Sequence, residues 1–228
     1  MKKIPTLFVR TFENHEVVGI TDQITHGCEE AFLRGDATVK FDGACCAIIG
    51  GELYKRYDAK KGKKPPEGAI PCCDPDPVTG HWPHWVKADK NSPADKWFVY
   101  AFDGLMASYD WTYEAVGKHF NGNPYNASFD WLIPHGKAYA DVERTFDGVK
   151  AWLEANNEEG LVFWLDGAPV CKIRRKLGWY STSLSPILMY LWSVEGGIRR
   201  APPTPGDLGT AAQTPLGLPP AREDSLDF

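Results

Sequence analysis

The stretch "ATVKFDGACCAIIGGELYKRYDAKKGKK", residues 37–64, ends one apolar run on a lone lysine, Lys40, passes through Asp42-Gly43 and opens a second apolar run. Asp-Gly between apolar runs is a strong hairpin signal, so the turn is expected to bring Lys40 opposite Cys45. Gly50-Gly51 predicts a second tight turn. Counting outward from it pairs Ile49 with Glu52, Ala47 with Tyr54 and Cys45 with Arg56. A lysine and an arginine then flank a small residue on one face, which is a pocket wall suited to an anion. Lys-x-Asp-Gly arises by chance in roughly one chain in twenty of this size, so the tetrapeptide decides little by itself.

A second stretch, "EEGLVFWLDGAPVCKIRRKLGW" (158–179), carries the same dipeptide as Asp166-Gly167. A two-residue turn there pairs Leu165 with Ala168, Phe163 with Val170, Leu161 with Lys172 and Glu159 with Arg174. Alternation puts Glu159, Leu161, Phe163 and Leu165 on one face with Val170, Lys172 and Arg174. One carboxylate and two cations thus meet at the open end of the hairpin. The competing reading is a surface cross-strand ion pair, worth at most about 1 kcal/mol.

Around these hairpins the chain alternates short β-rich runs with turn signals: "TVKF", "CCAIIG", "ELYKRY", "WFVYAF", "GLVFWL" and "PVCKIR". One amphipathic helix stands out in "DVERTFDGVKAWLEANN", where Val142, Phe146, Val149, Trp152 and Leu153 follow steps of three and four and Asp141 is the expected N-cap. Many strands with few helices predict an α+β fold. Residues 62–86, rich in Pro and Gly, read as an ordered irregular loop. Residues 1–180 form the expected domain, 181–200 an extension, and 201–228 a Pro/Gly-rich tail with no periodicity and no core of its own.

The 228 residues, 43% hydrophobic and 24% charged, suit one well-buried globular domain plus a tail. A formal charge of −5 argues against a general nucleic-acid coat but leaves room for a local basic groove. Lys55, Arg56, Lys60, Lys61, Lys63 and Lys64 form such a cluster. No apolar segment resembling a secretion signal follows the first charges, and "PILMYLW" (186–192) is too short to span a bilayer, so a cytoplasmic protein without a membrane partner is expected. The six cysteines then read as reduced thiols. A zinc site from Cys72, Cys73, His81 and His84 is conceivable, although its spacing fits no familiar pattern.

In order along the chain stand "KFDG" (40–43), "YEAVG" (113–117) with "NGNPY" (121–125), "LIPHG" (132–136), "EEGLVFW" (158–164) and "CKIRRKLGW" (171–179). This set resembles the covalent nucleotidyltransferases, and among them the ATP-dependent 5′-to-3′ RNA ligases of the vertebrate RNA ligase 1 type with their bacterial and phage relatives. The resemblance covers roughly residues 30–179. It implies a nucleotidyltransferase (adenylation) domain of antiparallel sheets with flanking helices. It also implies an enzyme that seals 5′-phosphate and 3′-hydroxyl RNA ends through a lysyl-AMP intermediate, in RNA repair.

By this likeness Lys40 is the nucleophile toward the α-phosphate of ATP. An ordinary lysine, with a pKa of about 10.4, must lose its proton to attack, and nearby cations favour that loss. Lys172 and Arg174 match the motif that contacts the α-phosphate; the family commonly has a lysine at the second position, where Arg174 offers a bidentate fork. Glu159 matches the acidic residue that orients the metal or the nucleophile, Glu114 the ribose contact, and Arg56 the arginine that meets the nucleotide or the RNA 5′-phosphate. A hard cation, Mg²⁺ or Mn²⁺, is implied as cofactor beside ATP. RNA contacts are expected from the basic residues near Arg56 and from Lys172 to Lys176.

DNA ligases and capping enzymes usually carry an oligonucleotide-binding barrel after the last motif, and the roughly 50 residues beyond Trp179 are too few for one. The alternatives kept are a non-catalytic nucleotide- or RNA-binding module of the same fold, and a capping-type or DNA-ligating nucleotidyltransferase. His135 carries no expected role, and Trp82, Trp85 and Trp97 read as core.

Overall fold

A computed structural model describes residues 3–14, 16–60 and 62–175. Its strands are β1 (Phe8–Glu13), β2 (Glu16–Ile24), β3 (Asp36–Lys40), β4 (Ala44–Ile49), β5 (Glu52–Ala59), β6 (Ile70–Pro71), β7 (Trp82–Lys87), β8 (Trp111–Gly117), β9 (Asp130–Pro134), β10 (Gly160–Leu165) and β11 (Ala168–Arg174). The helices are α1 (Glu29–Arg34), α2 (Lys96–Asp103) and α3 (Phe146–Ala155). Every strand pair is antiparallel: a β1-β2 hairpin, a three-stranded sheet β11-β10-β3, and a six-stranded sheet β6-β7-β5-β4-β8-β9. The expected mixture of antiparallel sheets and few helices is present. Residues 176–228, which include Lys176, the extension and the tail, lie outside the described residues.

Two buried clusters back the two larger sheets. Leu161 and Phe163 of β10 and Cys171 and Ile173 of β11 point into one of them, against Phe32 of α1, Val149 and Leu153 of α3, and Phe8. The other packs Cys46, Ile48, Tyr113 and Leu132 against Ala101, Trp97, Phe98 and Phe102 around α2. A third cluster of Val39, Phe41, Val116, Ile133 and Ala138 joins the sheets to each other. Apolar burial at about 25 cal/mol per Å² is what holds the two sheets at a fixed separation.

The structure corrects several sequence-based expectations. Asp42-Gly43 is not a hairpin turn: β3 pairs with β10, β4 pairs with β5 and β8, and the dipeptide carries the chain from one sheet to the other. Lys40 therefore lies opposite Gly160 rather than Cys45. Gly43 is required by close approach, since a Cβ there would meet the Ala115 carbonyl oxygen at 2.2 Å. The Asp166-Gly167 turn does close on Leu165 and Ala168, but the register slips by one beyond Trp164 and Pro169, so Phe163 faces Cys171 and Val162 faces Lys172. The bulge at Val170 turns Lys172 and Arg174 away from Leu161 and Phe163, toward the face of Val162 and Trp164. The Gly50-Gly51 register is as expected, with Ile49 opposite Glu52 and Ala47 opposite Tyr54.

"WFVYAF" is helical, within α2, not a strand. Its strand-favouring residues are overridden by packing, because Trp97, Phe98, Ala101 and Phe102 lie on one side of a helix against the same cluster. The amphipathic helix begins later than expected. Thr145 is its N-cap, its hydroxyl oxygen accepting from the Gly148 N–H at 2.9 Å, while Asp141 and Val142 precede it. The Pro- and Gly-rich segment contains strand as well as loop, with Ile70 opposite Trp85 and Pro71 opposite His84.

Candidate active site

The three-stranded and six-stranded sheets bound a cleft of about 810 Å³. Lys40, the last residue of β3, enters it from one side, and alternation along β10 and β11 sends Val162, Trp164, Lys172 and Arg174 into it as well. Cys45 of β4, Arg56 of β5, Glu114 of β8 and His135 just past β9 come from the other side. All six residues singled out in the sequence, Lys40, Arg56, Glu114, Glu159, Lys172 and Arg174, line this one cleft.

Glu159 is the hub of one wall. Lys40 Nζ donates to its Oε2, and Arg174 Nε forms an ion pair with its Oε1 at 2.9 Å. The Lys40 and Glu159 side chains are only 19% and 20% exposed, so this pair is partly shielded from water. Lys172 faces the same space, and among the described residues no carboxylate forms an ion pair with it. Burial, then the charges of Arg174, Lys40 and Arg56, pull its ammonium down to about 8, with Glu159 acting against them. The cleft thus holds more positive charge than its own carboxylates neutralise locally, the condition under which an anion binds.

The chain between the sheets is pinned at four polar atoms of Asp42 and Gly43. Asp42 N–H donates to Tyr125 Oη at 2.5 Å, and burial raises the Tyr125 phenol so far that it stays a hydroxyl. Asn121 Nδ2 donates to Asp42 Oδ1 at 2.9 Å and to the Gly43 carbonyl at 2.7 Å. Gly43 N–H donates to Glu114 Oε1 at 3.2 Å. Lys40 is therefore presented by a segment held from β8 and from the loop after it. Within "NGNPY", the side chains of Asn121 and Tyr125 fix this segment.

His135, for which no role was expected, places Nε2 at 2.8 Å from Glu114 Oε2 and Nδ1 at 3.0 Å from Thr112 Oγ1. No spacing signal marks it, because it meets Glu114 only through the β8-β9 pairing. Cys45 lies directly opposite Glu114 in the β4-β8 ladder. Burial, reinforced by Glu114 and opposed by Arg56, pushes its thiol up to about 12. Arg56 also donates through Nε to Asp58 Oδ1 at 3.0 Å.

No protein-family model matches the chain, and no curated protein matches its sequence.

Some expected groupings do not form. The basic cluster divides, because Lys55 points away from Arg56 and pairs with Asp95, while Lys60, Lys63 and Lys64 are exposed outside the cleft. Cys72, Cys73, His81 and His84 do not converge: His84 Nδ1 is 2.8 Å from the Trp82 carbonyl, and Trp82 Nε1 donates to the Cys73 carbonyl at 2.7 Å. Trp85 is core as expected, whereas Trp97 is half-buried and stacks on His119 with ring centroids 3.4 Å apart. No helix among the described residues is long and apolar enough to cross a membrane.

Proposed function

We propose that the chain is an ATP-dependent RNA ligase with the covalent nucleotidyltransferase fold, joining 5′-phosphate and 3′-hydroxyl ends by way of a lysyl-AMP intermediate. The observation that carries this reading is the position of Lys40. It is an amine at the junction of two sheets, against Glu159, in a cleft that also holds Lys172, Arg174 and Arg56.

In the first step Lys40 Nζ attacks the α-phosphorus of ATP. A P–N bond forms, the bond to the bridging oxygen breaks, and pyrophosphate leaves. Glu159 Oε2, already in contact with Nζ, is the group placed to take the proton that the amine sheds. Arg174 and Lys172 face the charge that accumulates on the phosphate oxygens. Lys172, pulled down to about 8, gains its proton more firmly as the anion arrives. Glu114 has acceptor capacity beyond its contacts to Gly43 and His135, and that capacity suits a ribose hydroxyl.

In the second step an RNA 5′-phosphate oxygen attacks the same phosphorus, the P–N bond breaks and Lys40 is regenerated. In the third, the 3′-hydroxyl attacks the activated 5′-phosphate and AMP departs. The carboxylate oxygens of Glu159 are hard donors of the kind that Mg²⁺ or Mn²⁺ prefers, reachable when the contact to Lys40 or Arg174 opens. Such an ion, when bound, supplies neutralisation of phosphate charge.

The test is incubation with ATP labelled at the α-phosphate and Mg²⁺, after pyrophosphate treatment to strip any preloaded AMP, followed by denaturing electrophoresis. Label stays on the wild type and is lost in Lys40→Ala, and a nicked 5′-phosphate RNA is sealed by the wild type alone. Equal ATP binding by both forms with no covalent label would make the chain a binding module. Labelling by GTP instead of ATP would make it a capping-type enzyme.

A further inference from the structure

Three side chains deep in the cleft form a group separate from the Lys40, Glu159 and Arg174 contacts. The Sγ of Cys45, a carboxylate oxygen of Glu114 and a ring nitrogen of His135 all lie within 4.8 Å of one another, the one such group among the described residues. They come from β4, from β8 and from the residue after β9, so three adjacent strands of one sheet hold them. We propose that Cys45, Glu114 and His135 bind a borderline-soft divalent cation, Zn²⁺, and that this cation excludes the nucleotide from its ribose subsite.

The donor set argues for zinc over the hard cations. One thiolate, one imidazole and one carboxylate is a combination that Zn²⁺ accepts in sites with three protein ligands and an open fourth position, whereas Mg²⁺ and Mn²⁺ favour oxygen. The charges close as well, since two anionic ligands neutralise the ion, which suits a partly shielded position. The fourth position opens into the cleft that all three residues line.

The surroundings already resemble those of a metal ligand. His135 Nδ1 lies 3.0 Å from Thr112 Oγ1, a partner that holds the ring and accepts from the Nδ1–H tautomer, leaving the Nε2 lone pair for the ion. Nε2 and Glu114 Oε2, 2.8 Å apart, are the two atoms a cation would bridge, while Oε1 keeps its contact to the Gly43 N–H. On binding, the Cys45 thiol releases its proton to solvent, and the one hydrogen of the neutral imidazole resides on Nδ1. Tetrahedral coordination with bonds of about 2.0–2.1 Å to nitrogen and oxygen requires Nε2 and Oε2 to part slightly from 2.8 Å.

Metal binding itself does not depend on the proposed ligase activity; only the competition with nucleotide rests on that reading. The experiment is titration of the chain with Co²⁺ as a spectroscopic substitute, followed by its displacement with Zn²⁺. One Co²⁺ per chain with a thiolate-to-cobalt charge-transfer band is expected, lost in Cys45→Ser and retained in the Cys72→Ser/Cys73→Ser double variant. Thr112→Val removes no donor and is expected to weaken binding about tenfold. It keeps the test decisive should Cys45→Ser alter the fold, which circular dichroism would reveal. A band that survives in Cys45→Ser, or no stoichiometric binding by the wild type, overturns the proposal. Zn²⁺ should also weaken ATP binding in the wild type and not in Cys45→Ser. A chain that binds cobalt through Cys45 yet, stripped of cobalt and supplied with Mg²⁺ and ATP, forms no lysyl-AMP would refute the ligase reading and leave the metal site standing.

Discussion

Asp42-Gly43 and Asp166-Gly167 are the same dipeptide, each between apolar runs, and the fold uses them in opposite ways. At Asp166-Gly167 both residues have positive φ, 50° and 75°, the chain doubles back, and a Cβ on Gly167 would meet nothing. At Asp42-Gly43 the chain runs on from β3 into a different sheet, with Gly43 pressed against the Ala115 backbone. The first site chose glycine for its conformational freedom and the second for the absence of a side chain. What separates them is the neighbours, since β10 takes one edge of β3 and residues 138–140 bond to the other, leaving none for a hairpin partner.

The comparison is most sharply broken at Gly43. Gly43→Ala would set a Cβ at 2.2 Å from the Ala115 oxygen and 2.7 Å from Val116 Cγ1, so a loss of about 3 kcal/mol is expected by chemical denaturation. Next comes Tyr125→Phe, which leaves the Asp42 N–H without its acceptor and is expected to cost about 2 kcal/mol, with slower labelling of Lys40.

The hairpin side contributes charge, and pH reads it. Lys172 at about 8 means that nucleotide affinity should fall as pH rises beyond 8, by up to about tenfold per unit, and that Lys172→Arg should flatten the profile. Stability moves the other way in the ligand-free protein. The folded state binds fewer protons than the unfolded one between about 8 and the ordinary lysine value of 10.5, so stability from this group rises with pH across that window. Calorimetry at several pH values separates the two trends. The smallest effect is expected at Gly167→Ala, where only the positive φ is penalised, at about 1 kcal/mol in the same denaturation experiment.

Much of the candidate site was legible because its chemistry is local in type. A lone Lys40 ending a strand, Glu159 before one, and Lys172 and Arg174 spaced by two on another are statements about residue kind and alternation, and all of them reach the same cleft. Their geometry was less legible. The expected face for Lys172 was wrong by one position, because a bulge at Val170 has no sequence mark of its own. His135 and Thr112 were invisible for a related reason, since their roles exist only through the β8-β9 pairing. "WFVYAF" has the composition of a strand and becomes a helix where one-sided burial against the six-stranded sheet outweighs propensity.

From the sequence alone come the mixed α+β character, the amphipathic helix, the two tight turns and the short set of charged residues. Each depends on periodicity or residue chemistry within a few positions, and such signals survive without knowledge of partners. Tertiary structure alone decided which strands share a sheet, that Lys40 sits at a crossing between sheets, and that Cys45, Glu114 and His135 converge. Those outcomes depend on contacts between residues far apart in the chain. There, backbone pairing and apolar burial select one arrangement among many that the local signals permit equally.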